Sequence, residues 1–416
     1  MPRKWTKAQR EEQARKMREY WARRRSKEGL KPVERDGPFP PRTEAFLEER
    51  LVKMLSRDSE QNTIERLANR LTQQLQKADK GDVSVTTNDV ARILTRLRKE
   101  GVYNPIYNED GDYYQLSTHF ESGDLTLDAS AFPSRREGRF TLIDTRFGAI
   151  ANTELGNIGF RDDALLAYYH VLAARGVKTV LHHGDIIAGP PTKATKGEIR
   201  FESLEQQAEY LAKNYPAVDG ITTYFITAPD CEGKFINTKK LEVGAYLQNV
   251  LAAHGREDLI YIGHGSANVK VPVQYITPRG KKKTLYALVH MAHGSGRTPY
   301  ARSYPLQKMV QSLQGGTKPD LLTLGHFMQV EWLMEREIWG AQIGGFKEQT
   351  PSMVNRRQHA DVAGTIITLK VPGPGEDKTN DQRFAAVFSP VVFFNREFYE
   401  QHKAYRRTNP TARKRR

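Results

Sequence analysis

Five short segments carry side chains that could hold a divalent cation: Ile143-Asp144-Thr145-Arg146, Gly184-Asp185, Pro229-Asp230-Cys231-Glu232, Ala292-His293-Gly294 and Gly325-His326-Phe327-Met328. Carboxylate oxygens and neutral imidazole nitrogens donate lone pairs to hard and borderline divalent ions. Asp144, Asp185, Asp230, Glu232, His293 and His326 are therefore candidate donors to a manganese, zinc or iron ion. The competing arrangement is a polar pocket of mutually hydrogen-bonded Asp and His with no ion. Three neighbouring side chains work against a fuller site. Arg146 is permanently cationic, and Met328 offers only a thioether, a poor partner for hard ions. Cys231 can donate a proton but does not mimic imidazolium near neutral pH.

The elements that would position these groups are short apolar runs. Phe140–Ile143 reads as a strand ending at Asp144, Ala164–Arg175 as a helix, and Thr179–Leu181 as a strand leading to His182, His183 and Asp185. Further strands are expected at Tyr224–Thr227 before Asp230, Leu285–Val289 before His293 and Leu321–Leu324 before His326, with a last strand pair near Phe384–Phe394. Alternating strands and helices, with polar groups at strand carboxyl ends, are what an open α/β sheet offers to a site. His183 and His290, inward at strand ends, read as core or supporting groups.

In type and order the segments resemble the calcineurin-like metallophosphoesterase signature: D-x-H, then G-D, G-N-H-[DE], a lone H, and G-H-x-H. The likeness covers roughly residues 138–371. It extends to Ala292–Tyr300, Ser303-Tyr304, the Gly-Gly-x-Lys-Pro-Asp run at 315–320, Gly344-Gly345-Phe346 and Gln349-Thr350-Pro351, which look like a phage and plasmid branch whose members carry an N-terminal DNA-binding module. The resemblance implies a β-sandwich flanked by helices and two metal ions. One ion would use Asp144, Arg146, Asp185 and Met328, so that seat is expected to be lost. Arg146 there would either form a structural ion pair or grip a phosphate. The other would use Asp185, Asp230, His293 and His326. Cys231 stands where the family protonates the leaving group. Asp144, Arg146 and Cys231 are thus the expected catalytic positions, two-ion catalysis being absent or strongly impaired.

Residues 43–120 read as a small helical domain ending in a hairpin. Helices are expected over Glu44–Ser56 and Gln61–Lys77, and a third begins with Thr87 as N-cap and ends at Gly101. Asn108-Glu109-Asp110-Gly111 then supplies a hairpin turn before Tyr113–Leu116. The order resembles a winged helix-turn-helix, in which Arg92, Arg96 and Lys99 of the third helix would meet nucleic acid; such a module can also dock protein. Residues 1–42 form a basic arm and linker, with Arg23, Arg24 and Arg25 as further nucleic-acid contacts. Residues 121–137 are expected as a linker, 138–395 as the phosphoesterase-like domain, and 396–416 as a basic tail.

The 64 Lys+Arg against 49 Asp+Glu leave a formal charge of +15, which favours a polyanionic partner, nucleic acid and by the resemblance DNA. Replication or repair proteins are the further partners implied. A mean hydropathy of −0.64 argues against a membrane role, and one cysteine makes no internal disulfide, so a cytoplasmic setting in a bacterial or phage-infected cell is expected. The function read from the sequence is a nucleic-acid-binding protein with a phosphoesterase scaffold; the alternative is a one-metal phosphodiesterase or nuclease acting on DNA.

Overall fold

The computed structural model describes residues 37–57, 62–78, 83–109, 112–296, 301–314, 318–372, 384–394, 396–397 and 399. Arg23, Arg24, Arg25 and the basic tail beyond 399 lie outside them. The described residues fall into two units that divide between Leu116 and Ser117.

The first unit contains helices Pro41–Leu55, Ile64–Lys77 and Thr87–Glu100, then a hairpin of β1 (Pro105–Asn108) and β2 (Tyr113–Leu116). Leu47, Leu51, Leu67, Leu71, Val90, Ile93, Leu94 and Leu97 recur at helical spacing and close one buried core, joined by Leu116 from the hairpin. The third helix is capped by Thr86 rather than Thr87. Its hydroxyl accepts the N–H of Asp89, whose carboxylate accepts the N–H of Thr86 in return. Gly101 ends that helix at a φ of +73°, where a side chain would be strained.

The second unit is a mixed α/β sandwich. Its strands are β3 (Gly123–Thr126), β4 (Ser134–Glu137), β5 (Phe140–Ile143), β6 (Arg146–Ile150), β7 (Thr179–His183), β8 (Thr222–Thr227), β9 (Leu259–His264), β10 (Ser266–Ile276), β11 (Lys282–Ala292), β12 (Leu321–Leu324), β13 (Glu331–Glu335), β14 (Ile338–Gln342), β15 (Ala363–Lys370) and β16 (Ala385–Val392). Among the described residues, one six-stranded sheet runs β16-β15-β6-β7-β8-β9 and the other β13-β14-β12-β11-β10-β3; β4 and β5 form a separate pair. Phe147, Ala149, Leu181, Ile226 and Ile367 of the first sheet pack against Val269, Val271, Val289, Met291 and Leu321 of the second, and this interface is the core. Strands β6 to β9 are mutually parallel, as are β11, β12 and β14. Thr179–His183 and Leu321–Leu324 are buried at every position, as central parallel strands must be.

Residues 121–137 are not the expected linker. Gly123–Thr126 adds to β10 as a parallel edge strand, and Leu127 and Phe132 enter the core. Only Leu125 in that strand is a large apolar residue, so its pairing has little local signal. No helix among the described residues is long and apolar enough to cross a membrane.

Candidate metal centre

Every group that converges on the site follows the carboxyl end of a parallel strand. Asp185 comes after β7, Asp230 after β8, His293 after β11 and His326 after β12. Donor atoms of Asp185, His293 and His326 all lie within 4.8 Å of one another. Asp230 joins them through a 3.2 Å approach of its Oδ2 to Nδ1 of His326. The imidazoles of His293 and His326 meet edge to face, with ring centroids 5.3 Å apart.

Asp144 and Arg146 do not reach this cluster, contrary to the expectation from sequence. Arg146 opens β6 opposite Thr368, whereas the cluster gathers beyond the other end of that strand at Ile150. Four steps of about 3.3 Å separate the two ends. The Arg146 guanidinium pairs with Asp144 at 2.5 Å, an ion pair at the opposite edge of the sheet. The i, i+2 pair that reaches the site is Asn152 and Glu154. Phe140–Ile143 and Phe147–Ala151 are two apolar runs, each followed by polar residues. Among the described residues the first pairs with β4 alone, while the second is a central strand beside β7.

The backbone around the site is held in an uncommon conformation. Asn152, Glu154, Asp185, His326 and Met328 have φ of 47°, 43°, 53°, 74° and 52°. Left-handed backbone costs a non-glycine residue about 1–2 kcal/mol, and such residues concentrate at functional sites. Tight packing keeps them there. A Cβ at Gly184 would lie 2.7 Å from Nδ1 of His293, and one at Gly345 would lie 3.0 Å from the Met328 side chain.

The imidazoles are oriented by their outward nitrogens. Nδ1 of His293 lies 2.5 Å from the carbonyl of His183, and Nε2 of His326 lies 2.9 Å from that of Gly296. Each can donate to its carbonyl, which leaves Nε2 of His293 and Nδ1 of His326 as lone-pair donors when the rings are neutral. Nε2 of His293 sits 3.3 Å from Oδ2 of Asp185 without forming an aligned hydrogen bond. That nitrogen and Oδ1 of Asp185 are buried and have no hydrogen-bond partner, so the residues present fit a divalent cation between them.

Burial alone would lower the His293 imidazole, but the Asp185 carboxylate and the His183 carbonyl outweigh it and hold it at about 9. Burial likewise favours a neutral Asp185, yet the facing His293 and His326 and the nearby Lys347 keep it well below the usual carboxylate range. His183 is fully hydrogen-bonded, to Ile150 and Thr323, and burial pushes it down to about 4. Nδ1 of His290 approaches Oδ1 of Asn268 at 2.8 Å.

Beside this group lies a second one. Donor atoms of Glu154, Asp185 and Cys231 are within 4.8 Å of one another, and the buried ammonium of Lys347 contacts Glu154. Burial pushes the Cys231 thiol well up, and Asp185 and Glu154 push it further, so it is a neutral thiol in the ion-free protein. Glu232 is fully buried. Its Oε1 accepts the backbone N–H of Ala228 at 2.9 Å and ties the Asp230 loop to its strand.

The third helix of the first unit is not a bare cationic face. Arg92 pairs with Glu44 at 3.3 Å and Asp89 at 3.0 Å, and Arg96 with Glu44, Glu48 and Glu100. The expected contacts Arg92 and Arg96 therefore have carboxylate partners on the first helix, while Lys99 is exposed.

Solved structures similar to the chain include an archaeal phosphodiesterase (11% identity, 60% of this chain, 99% of that chain, TM-score 0.30). Others are Vacuolar Protein Sorting 29 from Cryptosporidium parvum (12%, 60%, 99%, 0.27) and an uncharacterized predicted phosphoesterase from Streptococcus pneumoniae (10%, 61%, 99%, 0.26). No family model matches the chain, and no curated protein does.

Proposed function

We propose that this protein binds nucleic acid, and that its α/β unit is a metallophosphoesterase-like domain reduced to one divalent ion, with two-ion hydrolysis lost or strongly impaired. The observation that carries this reading is the asymmetry of the site. Asp185, Asp230, His293 and His326 surround donor atoms that have no hydrogen-bond partner, whereas the neighbouring group of Glu154 and Cys231 already contains the Lys347 ammonium.

A bound manganese, zinc or iron ion would polarise a phosphoryl oxygen. The chain's own residues orient the donors: His183 and Gly296 fix the imidazoles, and Asn152 and Glu232 fix the loops. Cys231, as a neutral, half-buried thiol, supplies no thiolate nucleophile, and general-acid help of about 10²–10⁴-fold is forgone. Binding of DNA is supported by the +15 charge, by the basic ends containing Arg23, Arg24 and Arg25, and by a three-helix unit with a hairpin, the order of a winged helix. Replication or repair proteins are the partners this reading implies.

The test is metal analysis after gel filtration, together with hydrolysis of a chromogenic phosphodiester and of single- and double-stranded DNA with added manganese. One retained equivalent and little turnover are expected. The donor atoms of His293 and Asp185 that have no hydrogen-bond partner also favour a second reading, a one-metal phosphodiesterase or nuclease. Manganese-dependent hydrolysis that disappears in Asp185→Ala would establish it.

A further inference from the structure

We propose that Lys347 is a built-in cation that occupies a second ion's place, so that the chain takes one divalent ion where its donor geometry could take two. The inference rests on the single-ion reading above. Glu154, Asp185 and Cys231 bring two carboxylates and a sulfur within 4.8 Å of one another, a donor set for a borderline ion such as zinc. Asp185 belongs to both this group and the one containing His293 and His326, so it stands between two adjacent seats.

The side chain that enters the second seat comes from the other sheet. Lys347 follows β14, and its loop is fixed by bridges from Gly345 to Ala151 and from Lys347 itself to Phe160. Its ammonium contacts Glu154, and both residues are buried. A buried ion pair is often no more stable than a well-packed apolar replacement. Its value here is charge compensation, since the carboxylates of Glu154 and Asp185 are both buried and lie within 4.8 Å of each other. An ammonium cannot donate a lone pair, and it needs no ion from solution. It therefore neutralises the donors permanently and keeps metal out of that seat.

The experiment is calorimetric titration of the full chain, freed of metal by chelation, with zinc and separately with manganese, alongside elemental analysis. Wild type and Lys347→Arg are expected to take one equivalent of zinc, and Lys347→Met two. A folded Lys347→Met that takes no more zinc than wild type would overturn the proposal. Wild type taking none while Lys347→Met gains one would leave this proposal standing and remove the single-ion reading.

Should Lys347→Met fail to fold without metal, the double variant Lys347→Met/Glu154→Gln decides. It removes both charges, so recovery of a wild-type-like circular dichroism spectrum and melting transition supports compensation. A double variant that also fails to fold reduces Lys347 to a packing role and overturns the proposal.

Discussion

Asn152 donates its carboxamide N–H to Oδ2 of Asp185 at 2.8 Å. The oxygen of the same carboxamide accepts the backbone N–H of His326 at 3.1 Å, so one uncharged side chain ties the two loops that present these donors. It also leaves Oδ1 of Asp185 as the free oxygen. Groups that orient ligands typically matter by 10–100-fold in metal affinity. Asn152→Ala should weaken zinc or manganese binding by about that factor, and destabilise the ion-free protein by roughly 1–3 kcal/mol because buried partners lose their bond. Titration calorimetry and chemical denaturation read the two effects separately; unchanged affinity would remove Asn152 from the supporting shell.

In the ion-free protein, stability should depend on pH through His293 and Asp185. The imidazole, at about 9 when folded and 6.5 by its ordinary value, contributes fully below pH 6.5 and loses that contribution as pH rises through about 9. The depressed Asp185 contributes above its ordinary value near 4 and loses it as pH falls. Melting temperature should therefore peak between roughly pH 4 and 6.5 as far as this pair is concerned. His293→Gln should flatten the alkaline limb, as scanning calorimetry with a chelator present would show. An alkaline limb of wild-type steepness in that variant would contradict the pairing.

Gly184→Ala should damage the site more than a single methyl group normally would. The residue sits at φ +82°, and the added carbon would lie 2.7 Å from Nδ1 of His293, where the imidazole meets the His183 carbonyl. Displacement of the ring should lower metal affinity by at least about tenfold, and the strained backbone should cost on the order of 1–2 kcal/mol. Wild-type affinity in this variant would mean that the ring does not depend on its carbonyl partner.

If the third helix of the first unit meets nucleic acid, its arginines are partly neutralised before binding. Glu44→Gln/Glu48→Gln would leave Arg92 only Asp89 and Arg96 only Glu100 among these carboxylates, and should strengthen DNA binding at low salt while steepening the salt dependence by up to about two phosphate contacts. Lys99→Ala should make that dependence shallower by about one. Fluorescence anisotropy over a series of salt concentrations measures both. Identical slopes in all three proteins would move the contact surface off this helix.

Much of the sandwich was legible because central parallel strands are short, apolar and bounded by turn residues. Leu321–Leu324 matches its sequence-derived bounds, and Thr179–Leu181 is extended only by His182 and His183. Asp185, His293 and His326 could be read because each follows its strand within two residues. Glu154, Asn152 and Lys347 could not. Asp144 has the residue type expected of a ligand, and only strand pairing shows that the following run, ending at Ala151, is the one beside β7. Asn152, uncharged, carries no metal signal of its own. Lys347 meets Glu154 across 193 residues of sequence, a distance over which no local pattern pairs an ammonium with a carboxylate.

The edge strand at Gly123–Thr126 sets where the chain can be cut. Separate expression of the sandwich from residue 138, the start suggested by composition, would strip a parallel partner from β10 and remove Leu127 and Phe132 from the core. The exposed ladder left on β10 would invite pairing between copies. A fragment beginning at Ser117, where the two units divide, keeps that border closed.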